Sequence, residues 1–407
     1  MTGRPGATPW TARYDAALAH TFGAPRLVVA RAQGLHVWDV DGRCYTDFLS
    51  GIAVNVLGHC HPAITAAVTA QLARCDHVSN FLASPPQIEL AERLAGLATA
   101  AAPAGTPARV FFGNSGAEAN EAAFKLTRLT GRTRIVAMEG SFHGRTMGAL
   151  ALTSKAAYRE PFAPLPGDVV FVPYGDVAAL ADAVDEATAA VVVEAIQGES
   201  GVVPAPPGFL AQARRITAER GALLWVDEVQ TGLGRCGEWL VSVADGVTPD
   251  IVTLAKGLGN GFPIGACVAV GPAADLFGPG SHGSTFGGNP VAAAAGLAVL
   301  DTLAGDHLVE AARRMGERLV GAILALRHPL IDHVRGRGLL RGVVLKAPVA
   351  AAVNDALLAA GWIVNAPRPD VLRLAPPLIV RQTDIDAFAV ALGAALDEAG
   401  TQEASPA

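Results

Sequence analysis

The chain of 407 residues carries a net charge of −6 and is 51% hydrophobic but only 17% charged. That balance excludes intrinsic disorder, and the lack of a basic stripe argues against a nucleic-acid partner. Five scattered cysteines (Cys44, Cys60, Cys75, Cys236, Cys267) without a C-x-x-C pair argue for reduced thiols in the cytoplasm, not a disulfide framework.

His59-Cys60-His61 invites a metal reading, but three adjacent residues do not easily face one ion, so no metal is expected. The N-terminus has no apolar run of the kind a signal peptide needs. The charge-free stretches 257–274 and 276–300 are broken by Gly, Pro and polar residues, so no membrane span is expected.

In chain order, LHVWDV-DG-RCYTDF predicts a hairpin turning at Asp41-Gly42. Helical patterns follow at 62–74 and 86–97, then an Ala/Pro/Gly-rich connector at 98–107. From Arg109 the runs VFF, IVAM, VVFVP, AVVVEAI, LLWVDEV, IVTLA and ACVAV predict strands, with helices between most of them. This is the pattern of a largely parallel sheet covered on both faces. A long helical stretch at 290–326 leads to further strands, a helix at 350–360 and a last helix at 384–398. The expected organisation is an N-terminal segment and hairpin (1–60), a large α/β domain (61–300), a small α+β domain (301–400) that the hairpin joins, and a frayed tail (401–407).

The chemistry concentrates on two buried strands, 223–229 and 251–255. The first delivers Asp227 and Glu228 at its carboxyl end, and the second delivers Lys256, at the edge where open α/β sheets keep reactive groups. Lys125, Lys155, Lys256 and Lys346 are the only lysines, so one placed after an apolar strand suggests amine chemistry that guanidinium cannot perform. Such a lysine forms Schiff bases with a carbonyl cofactor, and an Asp on a neighbouring strand suits the pyridinium of pyridoxal 5′-phosphate (PLP).

Three loops surround this pair. Gly113-Asn114-Ser115-Gly116-Ala117-Glu118 opens a helix with a Ser115-x-x-Glu118 capping box and offers free N–H groups to a phosphate, although a capped helix alone explains it. Ser141-Phe142-His143-Gly144-Arg145-Thr146 offers a ring to stack on a planar cofactor and an arginine to clamp a carboxylate, or simply a core Phe and a surface Arg. Gly232-Leu-Gly234-Arg-Cys-Gly237 raises a rival, a dinucleotide-dependent oxidoreductase. It lacks the helix that should follow, and Asp227 and Glu228 stand where a pyrophosphate would approach. A non-catalytic binding protein explains the sheet but not so many reactive groups at one edge.

With GIAVNVLGHCHP, FFGNSGAEANEAAFK, FHGRTMGAL, VVEAIQGESGVV, WVDEVQTGLGR, TLAKGLGNGFPIGA, HGSTFGGNP and VLRLAPPL in view, the chain resembles the class III PLP-dependent aminotransferases, in their acetylornithine/ornithine branch. The resemblance runs over residues 21–390. It implies fold type I, with a mostly parallel sheet in the large domain and a small α+β domain. It assigns Lys256 to the Schiff base, Asp227 to the pyridine nitrogen, Gln230 to the phenolic oxygen and Phe142 to ring stacking. Ser115, Gly116 and Ala117 would hold the phosphate, helped by Thr285 from the other subunit of a homodimer with active sites at its interface. Arg145 would bind the donor's α-carboxylate. Glu199 and Arg373 would form a switch pair that opens for the second carboxylate of 2-oxoglutarate.

The implied reaction moves the ω-amino group of N2-acetyl-L-ornithine to 2-oxoglutarate, giving N-acetyl-L-glutamate 5-semialdehyde and L-glutamate in arginine biosynthesis. Ornithine, succinylornithine or another ω-amine are the alternative donors. Departures from the family pattern fall on the donor side: Phe22 replaces a frequent Tyr, SNFLASPPQ replaces a more aromatic stretch, and Ala195 and Ser200 interrupt the usual EPIQGEGG or EPIQGEAG motif. Phe22 and Ser284 are the further candidates for donor contact.

Overall fold

The computed structural model describes residues 7–403. Seven strands form the central sheet, in the order Ala108–Gly113, Gly265–Val270, Ile251–Leu254, Leu223–Asp227, Thr188–Glu194, Arg134–Met138 and Asp168–Val172. Only Gly265–Val270 runs against its neighbours; the other pairings are parallel. The apolar runs explain this layer, because Thr188–Glu194, Ile251–Leu254 and Gly265–Val270 are buried along their whole lengths, as strands covered on both faces must be. Trp225 is fully buried at the centre, and its indole N–H donates to Thr253 Oγ1 at 3.1 Å, so the largest core ring leaves no orphan donor.

The strands that carry the candidate chemistry are neighbours. Leu223–Asp227 is preceded by helix Phe209–Arg220, which ends at Gly221 with φ +64°, a left-handed conformation that glycine adopts without strain. The strand stops at Asp227 rather than continuing to 229. Asp227 Oδ1 accepts the N–H of Val229 at 2.9 Å, and this local turn ends the ladder. Register then sets Asp227 beside Glu194 on one side and Thr253 on the other.

The expected hairpin is present: His36–Asp39 and Cys44–Asp47 pair antiparallel, with Asp39 Oδ1 accepting the N–H groups of Asp41 and Arg43 across the turn. Val29–Gln33 adds to one side of it and Trp362–Ile363, from the far end of the chain, adds parallel to the other. A separate antiparallel sheet runs Ile331–Arg337, Leu340–Leu345, Val371–Leu374, Asn365–Arg368. Within this sheet the buried strand Val371–Leu374 carries Arg373 to within reach of the central sheet's edge.

Two expectations need correction. The helix read across 290–326 is two helices, Pro290–Gly305 and Leu308–Ala325, which meet at 66°. The break falls at Asp306-His307, where His307 takes a φ of +52° and the helical bonding pattern ends. The last helix is longer than 384–398 and spans Gln382–Glu403, so 401–403 are helical rather than frayed; residues 404–407, like 1–6, lie outside the described residues. Among the described residues no single helix is long and apolar enough to cross a membrane.

Candidate active site

The phosphate-like cradle is built by strand Ala108–Gly113 turning into helix Gly116–Arg128. Ser115 caps the helix, its Oγ accepting the Glu118 N–H at 3.1 Å. Glu118 bends back, and its Oε2 accepts from the N–H and Nδ2 of Asn114 at 2.6 and 2.8 Å. The capping box therefore forms with the return bond one residue earlier than the usual pattern. That bond occupies the carboxylate and leaves the N–H groups of Gly116 and Ala117, which line the cavity, without an acceptor among the described residues. A Cβ on Gly116 would meet Val229 Cγ1 at 2.8 Å, so only glycine lets the backbone approach this closely.

Beyond the cradle lies a cavity of about 440 Å³ lined by both strand ends. Asp227 is buried and fully engaged: Oδ2 receives His143 Nδ1 at 2.7 Å and Asn120 Nδ2 at 2.9 Å. Burial opposes a charge on His143, but the Asp227 carboxylate outweighs it and holds the imidazole above its usual pKa. Lys256 follows strand Ile251–Leu254 with φ +43°, and its Nζ makes no hydrogen bond or ion pair among the described residues. Burial pulls its amine down to about 8, against the carboxylates of Glu199, Asp227 and Glu194. A free, desolvated amine opposite a bonded carboxylate is the arrangement that carbonyl chemistry requires.

On the outer wall Arg373, 1% exposed, donates from Nη1 to Glu199 Oε1 at 2.5 Å, from Nη2 to Asn365 Oδ1 at 2.9 Å, and weakly to Gln230 Oε1 at 3.4 Å. Burial raises the Glu199 carboxyl, but Arg373 wins and holds it below the ordinary value. Arg145 stacks its guanidinium 3.5 Å from the Tyr158 ring centroid and has no carboxylate partner among the described residues, so its charge is available at the cavity.

The structure thus brings together Ser115, Gly116, Ala117, Phe142, Arg145, Glu199, Asp227, Gln230 and Lys256 around one cavity, with Arg373 directly behind Glu199 and Gln230. It does not bring Thr285, Ser284 or Phe22 to that lining. Thr285 is exposed, and Phe22 is 80% exposed. Ser284 is occupied, its Oγ accepting the Gly287 N–H of its own loop at 2.9 Å and Asn114 Nδ2 of the cradle loop at 3.3 Å.

Glu228 is a correction: it does not join the reactive groups. Its carboxylate turns inward to accept from the N–H groups of Val241 and Ser242, the Ser242 hydroxyl and the Thr231 hydroxyl, and so caps the short helix Val241–Ala244. The glycine-rich run around Gly232–Gly237 likewise opens no helix, and its Arg235 is buried against the carbonyls of Leu339 and Pro376.

Three site residues escaped the sequence reading. Asn120 stands one helical turn beyond Gly116, His143 follows Phe142 in a quoted motif, and Glu194 ends its strand at the same edge as Asp227. Each sits on an element that already carries a predicted site residue or ends at the same sheet edge, but no local spacing encodes their contacts with Asp227 and Phe142.

A buried amine, a hydrogen-bonded carboxylate, an anion cradle and a buried arginine paired with a half-exposed glutamate, at the edge of a mostly parallel sheet, define an enzyme of group-transfer chemistry. Residues 18–396 match the family Aminotransferase class-III, and the chain belongs to it. Its fold is fold type I and its cofactor is PLP. Proteins named acetylornithine aminotransferase from Mycobacterium tuberculosis and Streptomyces coelicolor are 60% and 56% identical to it, over 95% and 96% of this chain and 96% of each relative. The structure of an N-acetylornithine aminotransferase from Stenotrophomonas maltophilia is 34% identical, with a TM-score of 0.81 over 95% of this chain and 98% of that one. An ornithine aminotransferase from Toxoplasma gondii aligns with a TM-score of 0.91 at 30% identity, over 98% and 96% of the two chains.

The lining suits PLP on its own evidence. The cradle has free N–H groups where only glycine fits, and Phe142 offers an aromatic face on the cavity wall. The amine and the carboxylate stand on the two strand ends between them.

Proposed function

We propose that this enzyme transfers the ω-amino group of N2-acetyl-L-ornithine to 2-oxoglutarate, giving N-acetyl-L-glutamate 5-semialdehyde and L-glutamate, the aminotransferase step of arginine biosynthesis. The observation that carries the reading is Lys256, a buried amine lowered to about 8 and free of partners, on the strand next to Asp227. The donor is assigned from the 56–60% identity to relatives named for acetylornithine.

In this reading Ser115, Gly116 and Ala117 would hold the cofactor's phosphate, Asp227 its ring nitrogen, Gln230 its phenolic oxygen, Phe142 its ring face and Lys256 its carbonyl carbon. When bound, PLP supplies the electron sink for the substrate's carbon. The chain's own residues do the rest. Lys256 Nζ would take the proton from the amine-bearing carbon and deliver it to the cofactor's former carbonyl carbon, which an amine near neutral pH does well. Asp227, fixed by His143 and Asn120, would hold negative charge at the ring nitrogen. Arg145 binds the donor's α-carboxylate. Arg373 is held by Glu199 while the donor, which has a single carboxylate, is present and is released to the second carboxylate of 2-oxoglutarate.

The reading includes a homodimer in the cytoplasm with a site shared between subunits. The large unit spans 61–300 and the small one 301–400. Thr285 is exposed beside Phe286 at 59% and Phe81 at 97%, and Asn80 ties the two loops together by donating to Ser284 O at 3.0 Å. An apolar patch beside a polar loop is the surface a second copy would cover, carrying Thr285 to the partner's phosphate. A donor panel tests the function. Acetylornithine with 2-oxoglutarate should give the highest kcat/KM, and preference for ornithine or succinylornithine would reject the assigned donor.

A further inference from the structure

Glu194 has no place in the roles above, yet it occupies the middle of the site. Strands Thr188–Glu194 and Leu223–Asp227 run parallel with Glu194 opposite Asp227, so both side chains leave the same face of the sheet at the same edge. Asp227 spends its oxygens on Val229, His143 and Asn120. Glu194 Oε1 instead accepts the N–H of Phe142 at 3.0 Å. Adjacent residues of one loop are therefore gripped by adjacent carboxyls, Phe142 through its backbone and His143 through its ring.

The strand end that carries Glu194 is itself fastened. The Tyr174 hydroxyl donates to Glu194 O at 2.8 Å and to Ala195 O at 3.1 Å. The groups that act on the Glu194 carboxyl are His143, Asp227 and Lys256, with Tyr174 behind it. Its Oε1 serves Phe142 whether or not the carboxyl carries a proton, since a carbonyl oxygen accepts as a carboxylate does. Burial drives this carboxyl up to about 7, with His143 pulling it down and Asp227 pushing it up.

We propose that Glu194 is a positioning residue of the transamination site: it fixes the Phe142 ring through the Phe142 backbone, and by taking up or losing a proton it adjusts the charge around the His143–Asp227 pair and Lys256. The first half rests on the reading that Phe142 covers the PLP ring; the second does not.

Two measurements test the two halves. Infrared difference spectra of the cofactor-free protein should contain a protonated-carboxyl band that disappears as pH rises through about 7 and is missing in Glu194→Gln. In PLP titrations of cofactor-free protein, Glu194→Gln should bind within about threefold of wild type, because its amide oxygen still accepts the Phe142 N–H. Glu194→Ala should bind about tenfold more weakly, because it strands a buried donor. Circular dichroism checks that each variant folds, and the Gln variant carries the infrared test if the Ala variant does not. Wild-type spectra identical to those of Glu194→Gln, or a folded Ala variant with wild-type affinity, would overturn the proposal. Failure of the wild type to take up PLP would reject the site reading instead, and the infrared result stands apart from it.

Discussion

Replacing Arg373 with methionine keeps the stem and removes the guanidinium, which should damage one half-reaction far more than the other. Arg373 is 1% exposed, and of its three acceptors Glu199 and Gln230 line this site while Asn365 lies beside it on strand Asn365–Arg368. A buried charge-assisted bond from arginine to a substrate carboxylate is worth about 2–4 kcal/mol, which at about 1.4 kcal/mol per decade is a loss of roughly 30- to 1,000-fold. That loss belongs to 2-oxoglutarate, which brings a second carboxylate. The acetylated donor meets Arg373 only through Glu199, so its half-reaction should change by less than about tenfold. Single-turnover kinetics of each half-reaction, followed by the cofactor's absorbance, separate the two. Arg373→Lys should recover part of the loss, since it restores the charge without the planar fork. Equal losses in both halves, or a drop of less than about fivefold with 2-oxoglutarate, would refute the switch. The sign with pH also follows. Glu199 titrates below its ordinary 4.5, so the ion pair is complete above that value and is lost only as pH falls through the lowered one. The preference between halves should therefore stay flat around neutral pH.

Asp227→Asn should lower the rate by about a hundredfold or more while PLP uptake remains near normal, because the variant keeps the shape and loses the charge; a rate within about threefold of wild type would contradict the role. In cofactor-free protein the rate of PLP capture should rise with pH and level off above about 8, where Lys256 becomes neutral; a rise continuing toward 10 would mean a solvated lysine reacts. Co-expressing Lys256→Ala with Thr285→Glu should restore about one quarter of wild-type sites, since random pairing makes half the dimers mixed and each has one intact site. No activity above that of the parents, with mixed dimers present, would reject the shared site.

The sheet was legible because its strands are covered on both faces, so IVAM, AVVVEAI and LLWVDEV appear as unbroken apolar runs. Lys256 was legible because lysine is scarce and this one follows such a run. What the sequence concealed is direction and convergence. Asp227 and Glu228 are neighbours, yet the strand sends one to the cavity and the other to cap Val241–Ala244. Asn120 and His143 meet Asp227 from 107 and 84 residues away, and no local pattern encodes that meeting. The break at Asp306-His307 was hidden for another reason. The residues on both sides form good helices, and the bend comes from His307 entering a left-handed conformation that its sequence does not demand.

The most direct test of the account is to load the wild-type protein with PLP, reduce it with borohydride and map the modified peptide by mass spectrometry. The pyridoxyl mass should fall on the peptide containing Lys256, with none on Lys125, Lys155 or Lys346, and Lys256→Ala should give an unmodified protein. Modification at another lysine, or PLP attachment that persists in Lys256→Ala, would contradict the central claim that the amine at the end of strand Ile251–Leu254 holds the cofactor.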